Sequence, residues 1–240
     1  MNYKTQFTTH GHTTINNIYT PAEVANLAKI ISNANEANPN FRSNNGLFAI
    51  RQFLKEVPET LPHIFNQNLK DIIANTFGND YFITKSIYFD KPPASNWFVA
   101  WHQDITISVK EKILTQGFGP WTVKEGQFAV QPPLHILQHN FTIRIHLDDT
   151  NEHNGALRVI DGSHKDGIQR VEQINITNPT TCNVSAGGIM LMHPLLFHSS
   201  GRTTNQQRRR VIHIELSNQP LPSPLQWSEY MQLPLYNTKP

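Results

Sequence analysis

Cysteine is all but missing from this 240-residue chain. Cys182 is the only one, so neither an intrachain disulfide framework nor a cysteine-ligated zinc or iron–sulfur site can be assembled from it. Charge is scarce as well. Only 16% of residues are Asp, Glu, Lys or Arg, the formal net charge is +2, and Arg208-Arg209-Arg210 is the only basic run, which argues against the wide electrostatic footprint of a nucleic-acid-binding surface. Long hydrophobic runs are absent too: Ile189 to Phe197 is broken by His193 and Pro194 and falls short of the roughly 20 residues of a membrane span. The opening MNYKTQFTTHGHTTINN holds no apolar segment of the kind a secretory leader needs. These absences predict a soluble, cytoplasmic protein with neither nucleic acid nor a membrane as partner, and they are silent on oligomeric state. What is abundant is histidine, with 12 in the chain; a metal held here must be held by imidazole and carboxylate.

The first third reads as helical and the remainder as β. Thr20-Pro21-Ala22-Glu23 is a capping box with proline at the first helical position, and Val24, Leu27, Ala28 and Ile31 recur at the spacing of one helix face. A helix of roughly 14 residues is expected there, ended by the Asn-rich stretch from Asn33 to Asn45. Leu47 to Val57 reads as a short helix. Leu61, Ile64, Phe65, Leu69, Ile72 and Ile73 form a further helical pattern that stops at Gly78, a C-cap glycine. Past Gly78 the apolar period drops to two, and strands are expected at 82–89, 98–109, 141–147, 156–160, 188–192 and 209–216. None is followed by a long helix, so helices outside an antiparallel sandwich or barrel of jelly-roll type fit better than a parallel βαβ sheet. A single domain over residues 1–240 is expected, helical to about 78, with a jelly-roll core over about 80–217. The Gly- and Pro-rich segment from Lys110 to Gln138 is read as a lid insert. Leu221 to Trp227 is expected over the pocket mouth, and His10-Gly11-His12 in a mobile tail.

A non-heme iron centre needs two histidines and one carboxylate on one side of the metal. On a strand, residues i and i+2 point the same way, so His-x-Asp can supply two ligands. With 12 histidines and 8 aspartates, fewer than one such pair is expected by chance, yet there are three: His102-Gln103-Asp104, His146-Leu147-Asp148 and His164-Lys165-Asp166. His164 lies between glycines that suggest a turn. His146 ends a good strand, but its aspartate runs into turn residues. His102 and Asp104 share the less greasy face of an alternation that also carries Thr106 and Ser108. His198 is the candidate third ligand. A turn through Gly201 to Asn205 would bring its strand beside Arg209, whose guanidinium could bind a carboxylate bidentately, each charge-assisted bond contributing about 1.5–3 kcal/mol; the alternative is that Arg208 to Arg210 form a solvated edge. Spacing alone leaves His146 and His102 in competition.

Five blocks then carry a resemblance: Phe89-Asp90-Lys91-Pro92-Pro93 with Asn96-Trp97, Trp101-His102-Gln103-Asp104, Arg144 through Asp149 leading into Asn154 through Lys165, His193 through Ser200, and Arg209 through His213. In this order, from about Phe82 to Leu216, they resemble the phytanoyl-CoA dioxygenase family of Fe(II)- and 2-oxoglutarate-dependent oxygenases, in particular its uncharacterised bacterial members. The resemblance implies a double-stranded β-helix (jelly roll, cupin-like), with His102, Asp104 and His198 as iron ligands and His146 and His164 as scaffold. It implies Arg209 for the distal carboxylate of 2-oxoglutarate, Ser200 assisting the same carboxylate, and Gln103 reaching the cosubstrate. Two positions depart from the pattern. Asp161 stands where proline is usual, and Arg144 where many members carry tryptophan; an inward Arg144 could contact 2-oxoglutarate or an acidic substrate, or form a structural salt bridge.

The function so implied is hydroxylation of a small-molecule substrate, using Fe(II), 2-oxoglutarate and O2 and releasing succinate and CO2. Because Asp104 is retained, hydroxylation and not halogenation is expected. Two other classes stay in view: a metal-binding jelly roll without oxygenase activity, acting as a sensor or carrier, and a carbohydrate-binding or structural sandwich in which His102 and His198 lie far apart. His193 is expected in a supporting or surface position, His213 in the core, and Cys182 as an ordinary buried thiol. Trp97, Trp101 and Trp121 could line the pocket or simply pack.

Overall fold

Period-two alternation of side chains organises the chain into two facing antiparallel sheets. The structure, a computed structural model, describes residues 2–34, 41–44, 47–93, 97–124 and 126–234. Its strands in chain order are β1 (His12–Ile15), β2 (Phe41–Asn44), β3 (Leu47–Arg51), β4 (Phe82–Lys91), β5 (Val99–His102), β6 (Ile107–Val109), β7 (Trp121–Lys124) and β8 (Gln127–Val130). They continue as β9 (Asn140–His146), β10 (Leu157–Val159), β11 (Thr180–Cys182), β12 (Ile189–Met192), β13 (His198–Ser200), β14 (Arg209–Ser217) and β15 (Met231–Gln232). The larger sheet runs β1-β12-β9-β14-β4-β3-β2, with β15 also on β4, and the smaller runs β11-β10-β13-β5. This is the double-stranded β-helix that the resemblance implied.

The helices are α1 (Tyr3–His10), α2 (Pro21–Ser32), α3 (Phe53–Glu56), α4 (Leu61–Ile64), α5 (Gln67–Phe77) and α6 (Leu134–Gln138). The capping box of α2 forms as expected: Glu23 N donates to Thr20 Oγ1 at 3.3 Å and Thr20 N to Glu23 Oε2 at 2.7 Å. Leu27 and Ile31 of α2 and Leu69 and Ile73 of α5 are buried in one core with Ile143, Ile145, Ile212, Ile214 and Leu216, each contributing about 1.5–3 kcal/mol. The helices therefore cover one face of the larger sheet. Between the two sheets Leu157, Val159 and Cys182 pack with Met190 and Met192. Among the described residues no helix is long and apolar enough to cross a membrane.

Several expectations are corrected. Leu47 to Val57 is a strand followed by one helical turn, because Phe48 to Arg51 pair with Ile87 to Asp90 on β4. The second helical pattern is two helices, divided where Asn66 caps α5 by accepting from Leu69 N at 3.0 Å. The N-terminal segment is no mobile tail: α1 leads into β1, which pairs His12 to Ile15 with Met192 to Ile189. Most of the Asn-rich stretch lies outside the described residues, as does Asn96. Lys110 to Gln138 holds the β7–β8 hairpin, paired with β6, and α6. Leu221, Leu225 and Trp227 pack against that unit with Ile107, Val109, Val130 and Ile136, so the C-terminal segment is core to a satellite sheet.

Candidate active site

β5 and β13 are neighbours in the smaller sheet with His102 directly opposite His198. Asp104 follows two residues after His102, past the end of β5. The expected continuous strand 98–109 is interrupted at 103–106, since Asp104 N donates to Pro194 O at 2.8 Å instead of to a strand partner. His102, Asp104 and His198 each bring a potential ligand atom to one place, all within 4.8 Å of one another. His102 Nε2 is 3.7 Å from Asp104 Oδ1, and His198 Nε2 is 3.8 Å from Asp104 Oδ2.

The tautomers follow from the partners. His102 Nδ1 lies 2.8 Å from Ala100 O and His198 Nδ1 lies 2.8 Å from Leu196 O; a carbonyl only accepts, so both Nδ1 atoms carry the proton and both Nε2 lone pairs face the aspartate. Burial pushes His198 down to about 4, which keeps that lone pair free at neutral pH. Burial would raise Asp104, but His198, Lys85, His213 and His102 outweigh it and hold the carboxyl at about 2. Two imidazoles with Nε2 turned inward and one carboxylate, converging on one point, are a donor set that fits Fe(II).

These residues open onto a cavity of about 150 Å³ whose far wall comes from the larger sheet: Lys85, Ile87 and Phe89 of β4, Arg144 of β9, and Arg209, His213 and Glu215 of β14. Arg209 and His198 thus meet across the cavity. The hairpin expected between their strands is absent, since β13 pairs with β10 and β5 while β14 pairs with β9 and β4. Arg209 is buried, donates through Nη1 to Gly155 O, and has no partner for Nε among the described residues. Burial and Arg144 push its pKa down to about 9, so it remains a cation. Ser200 Oγ donates to the same Gly155 carbonyl at 2.8 Å. Gly155 has φ +85°, and a Cβ there would sit 2.9 Å from both Gly201 O and Lys91 Nζ; only glycine fits this cradle. Lys91, 1% exposed, donates to Gly201 O at 2.8 Å and is pushed down to about 8 by burial and by Arg209. A buried guanidinium with an open N–H, beside a hydroxyl and an ammonium, fits the distal carboxylate of 2-oxoglutarate.

Gln103 is not brought to the cavity. Its Nε2 donates to Gly167 O at 2.8 Å and to Leu195 O at 2.6 Å, and its Oε1 accepts from Gln169 N at 2.9 Å, so its carboxamide ties loops together and the reading of Gln103 as a cosubstrate contact is corrected. Arg144 does point inward: its Nη1 lies 3.1 Å from His213 Nδ1. A guanidinium only donates, so His213 Nδ1 accepts and its Nε2–H faces Glu215 Oε1 at 3.1 Å. Glu215 in turn is 2.6 Å from Lys85 Nζ. Although burial pulls the Lys85 ammonium down, Glu215 outweighs it and raises it. The Lys85–Glu215 pair and Lys91 escaped the sequence reading; the available signal was a lysine at each end of the inward series Lys85, Ile87, Phe89, Lys91.

Among the remaining candidates, Trp97 lines the cavity, Trp101 stacks under Arg158 at 5.6 Å, and Trp121 belongs to the satellite cluster. His146 is buried scaffold, with Nδ1 2.8 Å from Thr150 Oγ1. His193 is buried outside the cavity lining, its ring 5.1 Å from that of His164, so of the supporting and surface positions expected for it the surface one is excluded. Cys182 is buried, and burial pushes its thiol up to about 12.

The comparisons with known proteins agree with this geometry. The family model for phytanoyl-CoA dioxygenase (PhyH) matches residues 7–211. No curated protein matches the chain in sequence. Among solved structures, AviO1 from Streptomyces viridochromogenes Tue57 is similar at 20% identity and a TM-score of 0.65, over 92% of this chain and 95% of that one. EvdO2 from Micromonospora carbonacea var. aurantiaca, solved with 2-oxoglutarate, is similar at 18% identity and a TM-score of 0.63, over 95% and 96%. EctD from S. alaskensis, solved with 2-oxoglutarate and 5-hydroxyectoine, is similar at 18% identity and a TM-score of 0.65, over 89% and 74%. With the family model covering most of its length, the chain belongs to the phytanoyl-CoA dioxygenase family, whose cofactors are iron and 2-oxoglutarate.

Proposed function

We propose that the protein is an Fe(II)- and 2-oxoglutarate-dependent dioxygenase that hydroxylates a small-molecule substrate. The observation that carries this reading is the convergence of His102 Nε2, His198 Nε2 and the Asp104 carboxylate within 4.8 Å, across the cavity from an Arg209 guanidinium with an unspent N–H. His102, Asp104 and His198 would hold the metal, and Arg209, Ser200 and Lys91 the distal carboxylate of 2-oxoglutarate. Bound there, iron and 2-oxoglutarate supply the oxidising chemistry, with 2-oxoglutarate and O2 consumed and succinate and CO2 released.

The chain's own part is positional. The Ala100 and Leu196 carbonyls fix both imidazole rings with Nε2 inward. The Gly155 cradle lets Ser200 and Arg209 converge on one carbonyl. Ile87, Phe89, Val99 and Leu157 line the wall with apolar surface that excludes water. Among the described residues the N-terminal helices and the 110–138 segment supply no cavity lining; it comes from strands of the two sheets and from Trp97 and Asp104 on either side of β5. Anaerobic addition of Fe(II) and 2-oxoglutarate tests the reading: a weak visible charge-transfer band is expected in wild type and none in His102→Ala. Succinate release in the presence of a metabolite panel separates the oxygenase from a metal-binding protein without turnover, which would show the band and release none.

A further inference from the structure

We propose that the primary substrate is an anion, a small carboxylic acid whose carboxylate is held by Arg144. This rests on the cofactor reading above and extends it to the substrate. Arg144 is 8% exposed, lines the cavity beside Asp104 and His198, and has no hydrogen-bond partner for Nε. No carboxylate lies within ion-pairing distance of it among the described residues; its one side-chain hydrogen bond there is to the acceptor Nδ1 of His213. Other arginines near this sheet are matched to acids: Arg210 of β14 with Asp148 at 2.7 Å and Arg208, just before β14, with Asp90. Both of those pairs lie outside the cavity lining. A buried guanidinium without a counter-ion is unfavourable unless a ligand supplies the charge.

Charge balance says which ligand. A divalent metal is offset by Asp104 and by one charge of 2-oxoglutarate, and Arg209 is offset by the other. Lys85 is already neutralised by Glu215. Arg144 and Lys91 are therefore the two cations in excess once metal and cosubstrate are in place; Lys91 stands beside Arg209 and its Gly155 cradle, which leaves Arg144 as the excess cation among the cavity-lining residues. The series Arg144, His213, Glu215, Lys85 also fixes the direction of the guanidinium. His213 accepts from Nη1 and donates its own Nε2–H to Glu215, which Lys85 anchors from β4. The remaining N–H groups of Arg144 are thereby left for the cavity, preorganised for a planar two-oxygen acceptor.

The test uses matched probes on the full chain loaded anaerobically with Fe(II) and saturating 2-oxoglutarate: benzoate against benzamide and hexanoate against hexanamide, with binding read by calorimetry. The acids are expected to bind about tenfold or more tightly than the amides. Arg144→Gln is expected to erase that preference while leaving 2-oxoglutarate affinity within about threefold, and Arg144→Lys to keep part of it. Equal binding of acids and amides by wild type, or binding of neither, overturns the proposal without recourse to any variant. A loss of 2-oxoglutarate affinity in Arg144→Gln with the acid preference intact also overturns it, making Arg144 a cosubstrate ligand. If wild type forms no visible band, the cofactor reading fails separately. The acid preference is then measured on the metal-free protein, where its disappearance in Arg144→Gln still supports the carboxylate site and its absence in wild type overturns it.

Discussion

The two faces of the larger sheet are made by the same strands and have opposite characters. On β9 and β14 the outward series is Ile143, Ile145, Ile212, Ile214 and Leu216, packed under the helices. The inward series is Arg144, Arg209, His213 and Glu215, lining the cavity. One residue of displacement along a strand separates hydrocarbon packing from a buried charge network. The outer face holds the fold together. The inner face spends stability, since each buried charge is a burden that only a partner or ligand relieves.

Substitutions on the two faces are accordingly expected to act on different observables. The largest effect is at the cavity, just past the end of β5: Asp104→Ala should abolish the Fe(II)–2-oxoglutarate visible band while the metal-free melting temperature moves little. Ile212→Ala, on the outer face, should do the reverse, costing about 2–5 kcal/mol in denaturant melts while folded protein keeps its 2-oxoglutarate affinity. Arg209→Gln should weaken 2-oxoglutarate binding by about 1.5–3 kcal/mol, measured by titration of the same band. If Ile212→Ala impaired cosubstrate binding as strongly as Arg209→Gln, the separation of the faces would be wrong.

The smallest effect is a pH dependence. Burial, with a contribution from His164, holds His193 at about 4 in the folded chain against 6.5 for an ordinary histidine. Between those values the unfolded chain binds the extra proton, so stability rises with pH. The contribution is complete above about 6.5 and is lost as pH falls toward 4, by about 1–2 kcal/mol at pH 5. His193→Gln should flatten melting temperature against pH in that window; an unchanged slope would mean that other buried histidines, His146 first, carry it.

Local pattern was enough wherever neighbours along the chain set the outcome. The α2 capping box, the strands near 82–91, 140–146 and 209–217, and the inward alternation from Arg209 through Glu215 all follow from spacing within a few residues. It misled where a distant partner decided. Leu47 to Arg51 is apolar enough for helix or strand, and β4 makes it a strand. Gln103 was expected beside its neighbours in the pocket, but Gly167, Gln169 and Leu195 draw its side chain away. The glycines and prolines of 110–138 hid a hairpin that is held by β6 and the C-terminal segment.

By itself the sequence determined that a metal here would meet imidazole and carboxylate, since a single cysteine cannot build a thiolate site, and through its motifs it determined the family. It also determined which side chains share a face of each long strand, because the strand repeat is a local property of the backbone. Only the tertiary structure decided which His-x-Asp pair meets a further histidine and what stands opposite it. His102 and His198 are paired across strands nearly a hundred residues apart, and Arg144 and Arg209 reach the same cavity from the other sheet. Contacts of that range depend on strand order and register, and the burial that leaves Arg144 without an ion-paired acid among the described residues is a property of the closed fold, not of any segment of it.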